Sequence, residues 1–256
     1  MTRRRFPVGK TLLYVFMSLW ALTTIYPFIW VILNSFKPRG LIRSDTFSLP
    51  IGDKFTLENY VTAFKRVDIG TAYVNSIVIS GAVTVVVMVL AGLAAYAMVR
   101  YSFRLRGFLH SMIIASMMFP VFSTIIPVFR MESSWGIVNT GSIWLTRLSV
   151  VLPQIAGNLS FAIIVLMGFI RSLPVDLEEA AYLEGYNVYQ IFFRIIMPLA
   201  KPSFATVGIF TFLWSYNDLF LQMFFLRSKK FFTITRLLNE ISSQAGTNYG
   251  LMVAAV

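Results

Sequence analysis

Apolar residues in this chain come in long unbroken runs separated by short polar inserts, and the run lengths carry the first structural reading. Crossing the hydrocarbon core of a bilayer takes about 20 mostly apolar residues. Charge-free stretches of that length run over 11–36, 69–99 (the span proper about 72–99), 107–129 and 148–170. A fifth, 202–226, is interrupted only by Asp218. A sixth begins at Tyr249 and stops at 256. Eight residues do not cross, and an apolar end left in lipid strands helix carbonyls without partners. The expectation is an all-α polytopic membrane protein: six transmembrane helices, the last truncated, in one transmembrane domain over 1–256.

Two polar inserts are long enough to hold structure of their own. The segment from Asn34 to about Asp68 is broken by Pro38, Gly40, Pro50 and Gly52. It reads as a loop with one short amphipathic helix around Leu57 to Phe64. The insert 171–201 reads as a helical hairpin. Pro174 is suited to a first helical turn, where its missing N–H costs nothing, and Asp176, Glu178 and Glu179 lie near the positive end of that helix. Ala180 and Ala181 are strong helix formers with small side chains, which lets another surface come close. Gly185 can take a positive φ and end the helix. Asn187 with Gln190 three residues on has the spacing of a capping box. Ile191, Phe192, Ile195 and Ile196 then recur on one face, before Pro198 and Pro202 stop or kink the helix. Taken alone, the pattern also fits an amphipathic helix pair lying on the membrane surface.

Composition narrows the functional classes. The 256 residues are 57% hydrophobic and only 13% charged, with a mean hydropathy of +0.73, against about a quarter charged in soluble domains. The chain has no cysteine, which rules out disulfides and thiolate metal sites. A net charge of +11 would suit nucleic acid, but the basic residues flank apolar runs as juxtamembrane charges do, so no nucleic-acid partner is expected. The tally of basic residues does not decide orientation. Density favours a cytoplasmic N-terminus, with Arg3, Arg4, Arg5 and Lys10 ahead of the first stretch and Arg100, Arg104 and Arg106 in one short turn. The first stretch lacks a small-residue cleavage site and reads as an uncleaved span.

Residues 179–198 follow the spacing Glu-Ala-Ala, three residues, Gly, nine residues, Ile-x-x-Pro, with Met197 where Leu is usual. This resembles the EAA loop of ABC importer permeases, through Glu179, Ala180, Ala181, Gly185, Ile195 and Pro198. The runs PFIWVILNSFKP (27–38), LENYVTAF (57–64), GIVNT (136–140), LPVDLEEAAYLEG (173–185), WSYNDLF (214–220) and YGLMVAAV (249–256) are similar to the carbohydrate, maltose-transporter-like branch, and to the smaller of its two membrane subunits. The resemblance implies that the six motif residues form a cytoplasmic coupling loop docking on an ATPase. It also implies a second homologous permease in a heterodimer, an ATPase dimer that binds ATP and Mg, and an extracytoplasmic sugar-binding protein reached by the external loop 227–248. Localisation would be the bacterial-type cytoplasmic membrane, and the chain itself would carry no cofactor and no catalysis.

Polar residues inside the apolar stretches are the other candidates. Asp218 beside Asn217 is the only acid in an apolar stretch, and intramembrane acids face a cavity or a partner. Two readings stand: a group on the translocation path or at the meeting with the partner permease or, slightly favoured, a brace between helices. Trp214 and Tyr216 suit either stacking on a sugar or packing at the membrane interface. Asn158, Gln154 and Ser160 suit either the path or interhelical hydrogen bonding. Pro120, Pro127 and Pro153 should kink their spans. His110 stands at a span edge with no second ligand, so no metal site is expected. The competing classes are an ion-coupled secondary transporter, for which Asp218 alone is thin, and a membrane enzyme, for which converging catalytic groups are missing.

Overall fold

In the computed structural model, residues 8–66, 68–244 and 249–255 are described, and the helices follow one another in chain order. They are α1 (Val8–Ser35), α2 (Arg39–Ser44), α3 (Glu58–Arg66), α4 (Ile69–Arg100), α5 (Arg106–Ser116), α6 (Val121–Ser134) and α7 (Ile143–Ser172). Then come α8 (Asp176–Leu183), α9 (Val188–Ile191), a π-helical turn (Phe192–Ile196), α10 (Met197–Leu199), α11 (Lys201–Asn217), α12 (Leu219–Phe225), α13 (Ile234–Gln244) and α14 (Tyr249–Ala255). No strand occurs among the described residues. The basic residues Arg3, Arg4 and Arg5 and the segment 245–248, part of the loop expected to be external, lie outside them.

Among the described residues α1, α4 and α7 are long and apolar enough to cross a bilayer alone. The third and fifth apolar stretches differ from the unbroken spans expected of them. Stretch 107–129 is two helices, α5 and α6, bent by 103°. The break falls at Pro120, which caps α6 in extended backbone, as a missing N–H and a restricted preceding residue dictate. Stretch 202–226 ends its helix at Asn217 and restarts at Leu219. The 17 residues of α11 rise about 25 Å, less than a full hydrocarbon core. The segment 227–248 is also not all loop, since α13 occupies its second half. By contrast, the amphipathic helix expected at Leu57–Phe64 is α3.

The chain divides into two compact units, 1–69 with 238–256, and 70–237. In the first, the end of α1 is tied to α3. Asn59 Nδ2 donates to the carbonyls of Ser35 and Lys37 at 2.9 and 2.7 Å, and the Ser35 and Tyr60 hydroxyls meet at 2.6 Å. Phe36 packs on Phe55 and Tyr60 at 5.6 and 5.4 Å. Lys37 is fully buried; its ammonium donates to the carbonyls of Asp45 and Thr46 at 3.0 and 2.8 Å, which replaces the water it lost. Along α1, by contrast, none of the apolar window is buried.

The second unit has its core where α4, α7 and α11 meet. Ile79, Val83, Val87, Ala91 and Ala95 of α4 are buried with Val150, Ala162, Ile163, Leu166 and Ile170 of α7 and Phe204 and Val207 of α11. Small residues let the helices approach. A Cβ on Gly92 would come within 2.8 Å of the Phe204 ring and 2.9 Å of the Phe192 ring. Gly92 is therefore where the transmembrane helix α4 receives the polar hairpin's aromatic residue.

Candidate functional site

The hairpin 176–199 is shaped by local hydrogen bonding that its sequence spells out. Helix α8 ends with the Gly185 N–H on the Tyr182 carbonyl at 3.0 Å and the Tyr186 N–H on the Ala181 carbonyl at 3.0 Å. That is a Schellman closure, and Gly185 supplies its left-handed residue at φ +87°. Two residues later Asn187 Oδ1 accepts the Gln190 N–H at 2.9 Å, while Gln190 Oε1 accepts the Asn187 N–H at 2.8 Å. The capping box is thus fully formed. Helix α8 begins at Asp176, so Pro174 lies just before it and not in its first turn. After α9 the backbone makes a π turn, with the Met197 N–H on the Phe192 carbonyl, and the chain then bends by 81° into α11.

Helical phase sorts the motif residues onto two faces. Glu179 and Ala180 are exposed with Leu183, which at 91% is the most exposed large apolar side chain among the described residues. Ala181 turns inward with Glu178, so only Ala180 of the alanine pair offers close approach to an outside surface. Gly185 and Pro198 are exposed, Ile195 is half-buried, and Ile191, Phe192 and Ile196 are buried. Tyr182, Val188 and Tyr189 extend the exposed apolar tip around Leu183.

A second constellation surrounds the break between α11 and α12. Asp218 caps α12, its Oδ1 accepting the Leu221 N–H at 3.2 Å, and its Oδ2 accepts from Gln154 Nε2 of α7 at 3.1 Å. Ser215 Oγ donates to Gln154 Oε1 at 2.6 Å and pairs with the Ser80 hydroxyl of α4 at 3.2 Å. Gln222 Nε2 donates to the Ser215 carbonyl at 3.1 Å, and its oxygen accepts from Thr233 Oγ1 at 2.5 Å. Ser76 Oγ accepts the Ile234 N–H at 2.9 Å. Asn75 Nδ2 donates to the carbonyls of Lys230 and Phe232, and Asn75 Oδ1 accepts from Arg147 Nη2 at 2.9 Å. The result is a continuous polar seam joining α4, α7, the α11–α12 break and the segment 230–234.

The chain matches the family described as binding-protein-dependent transport system inner membrane component over residues 87–256. It is 33% identical over 245 residues to the diacetylchitobiose uptake system permease protein NgcG of Streptomyces coelicolor, covering 95% of this chain and 78% of that one. It is 33% identical over 199 residues to the trehalose transport system permease protein SugB of Mycobacterium tuberculosis, covering 78% and 69%. The chain belongs to the binding-protein-dependent permease family. A crystal structure of a bacterial ABC transporter involved in alginate import has the same fold, with TM-score 0.81 at 21% identity, covering 100% of this chain and 92% of that one.

The permease does not bring all its path candidates together. Asp218 turns into the seam, whereas Asn217 is exposed, its amide bonded back to the Leu213 carbonyl at 2.8 Å. Asp218 is therefore not an acid in mid-helix, as the unbroken stretch implied, but a cap at a break. Asn158 is buried, its amide on the Gln154 carbonyl of its own helix at 2.8 Å. Trp214 is half exposed and packs edge-on against Phe161 at 4.8 Å, and Tyr216 stacks on Phe212 at 5.8 Å. Ser160 pairs with Ser116 of α5 at 2.6 Å. An open groove of about 800 Å³ between α4 and α11 has only Thr84 and Lys201 as polar lining, which is no lining for a hydroxyl-rich solute. No metal-binding cluster exists among the described residues.

Sequence reasoning missed Glu178, Tyr96 and Arg100. Glu178 is buried and accepts from Tyr96 Oη at 2.8 Å and Arg100 Nε at 2.5 Å, while Arg100 Nη2 donates to the Leu173 carbonyl at 2.9 Å. The available signal is phase: Glu178 stands three residues before Ala181 and shares its inward face, whereas Glu179 is turned by about 100°. Arg100 passed for an ordinary flanking charge.

Proposed function

We propose that this permease forms half of the translocation pathway for a sugar or oligosaccharide in an ATP-driven importer, with hairpin 171–201 as its coupling element. Glu179, Ala180, Gly185 and the exposed Leu183 tip would meet the ATPase, with Ala181, Ile195 and Pro198 setting the shape behind them. The observation that carries this is the hairpin itself: a doubly capped turn presenting an apolar tip, with its other face packed on the end of a transmembrane helix. The named substrates of the relatives, diacetylchitobiose and trehalose, support a carbohydrate. The partners in this reading are a second homologous permease, an ATPase dimer that binds ATP and Mg, and an extracytoplasmic sugar-binding protein. The chain is then a single permease domain of six crossings in a bacterial cytoplasmic membrane, N-terminus inside.

Asn158, Trp214, Tyr216 and Asn217 remain candidates for lining the path, and Asp218 is assigned to bracing the α11–α12 break. The test is reconstitution of the affinity-purified permease with the proteins that accompany it. An ATPase should co-purify, and uptake of the sugar held by the binding protein should require ATP. Uptake driven by an ion gradient with no ATPase present would sink the reading in favour of a secondary transporter.

A further inference from the structure

Arg100 is the last residue of α4, and it reaches two other helices at once. Its Nε pairs with Glu178 of α8, its Nη2 caps the α7 end at the Leu173 carbonyl, and Tyr96, one turn earlier on α4, donates to the second Glu178 oxygen. Both charged side chains are almost completely enclosed, at 11% and 5% exposure. A planar guanidinium that uses separate nitrogens for a carboxylate and a carbonyl fixes direction as well as distance. One turn further back, Gly92 accepts the Phe192 ring, and Tyr96 packs on the same ring at 5.6 Å.

We infer that the Glu178–Arg100 pair, with Tyr96 and the Leu173 carbonyl, is the rigid linkage that passes movement of the coupling helix α8 to the transmembrane helices α4 and α7. These are positioning residues: they act through α8 and touch no substrate. The inference rests on the proposed coupling role of the hairpin and assigns its direction of transmission. The two ends of the hairpin differ in kind. At the entry, buried charge-assisted bonds join α8 to two transmembrane helices, and a buried pair resists separation because each half would be left charged and unpaired. At the exit, the chain passes through a π turn and an 81° bend before α11, features that mark backbone able to change register. Force applied at the Leu183 tip therefore has a stiff route into α4 and α7 and a compliant one into α11. Motif residue Glu179 cannot serve the stiff route, since it points outward.

The experiment uses the assembled importer in proteoliposomes, with its ATPase and loaded binding protein, and reads substrate transported per ATP hydrolysed at equal amounts of complex. Glu178→Gln keeps shape and removes the charge, and it should lower that ratio by about fivefold or more while ATP hydrolysis continues. Tyr96→Phe, which removes one hydrogen bond only, should lower it less. Gly185→Val serves as the control for the hairpin's role. If Gly185→Val lowers the ratio and Glu178→Gln leaves it unchanged, this inference is overturned and the coupling reading stands. If neither changes it, the coupling reading itself fails. Loss of assembled complex in Glu178→Gln with a normal ratio in Tyr96→Phe would make the cluster a folding anchor, and would also overturn the inference.

Discussion

Asp218 and Gln154 meet at 3.1 Å across the gap between the α11–α12 break and α7, and the acid's other oxygen caps α12 at Leu221. One carboxylate thus closes a helix start and joins it to a neighbouring transmembrane helix. Asp218→Asn keeps the capping oxygen but sets an amide N–H against Gln154 Nε2, so it should lower detergent stability less than removal of both groups. Asp218→Ala removes cap and acceptor together, and should cost about 1–2 kcal/mol, read as a lowered unfolding temperature. Apparent affinity for substrate should be the same in both. A fall in affinity with unchanged stability would return Asp218 to the translocation path.

Gly185 has open space where a Cβ would stand, so substitution there acts through backbone alone. At φ +87° an L side chain costs roughly 1–2 kcal/mol, and asparagine tolerates the left-handed region best. Uptake should fall in the order Gly185→Asn, Gly185→Ala, Gly185→Val, with valine worst and the protein still inserted. Equal uptake by the asparagine and valine variants would show that the positive φ is unimportant for transport.

Asp45 and Lys54 form an ion pair at 2.7 Å outside the apolar stretches. The hydrogen bond from Lys54, and then that from Ser48, hold the Asp45 carboxyl below its ordinary value. Its folded pKa is lowered, so between that value and about 3.9 the unfolded state binds more protons and stability rises with pH. The contribution is present above about pH 4 and is lost as pH falls through the folded value. Pepsin cleavage in 45–54 should therefore separate wild type from Lys54→Gln at the upper end of this range, and the two should converge as the acid protonates. A difference that widens on acidification would contradict the pairing.

Much of this fold is legible in the sequence because a bilayer demands long apolar runs, and those of α1, α4 and α7 are unbroken. The hairpin is legible residue by residue, since Gly185, Asn187 and Gln190 act on neighbours within five positions. What escapes is what depends on tertiary placement. Hydropathy cannot show that Pro120 turns its span by 103°, nor that Asp218 ends a helix instead of riding inside one, because both runs stay apolar across the break. The partner of Glu178 lies 78 residues away in the chain. Helical phase sets Glu178 apart from the outward-facing Glu179, but no local spacing names Arg100 as its partner.

The coupling role of the hairpin is tested most directly at its tip. The chain has no cysteine, so Leu183→Cys places a single thiol at the most exposed large apolar position among the described residues. Membranes containing the assembled importer are treated with a short bifunctional thiol–amine reagent, and intact cells with a membrane-impermeant thiol label. The account predicts that the introduced thiol joins the ATPase subunit, with a yield that changes when ATP is added, and stays unlabelled from outside. Labelling of intact cells, or no cross-link to the ATPase in a complex that still transports, would contradict it.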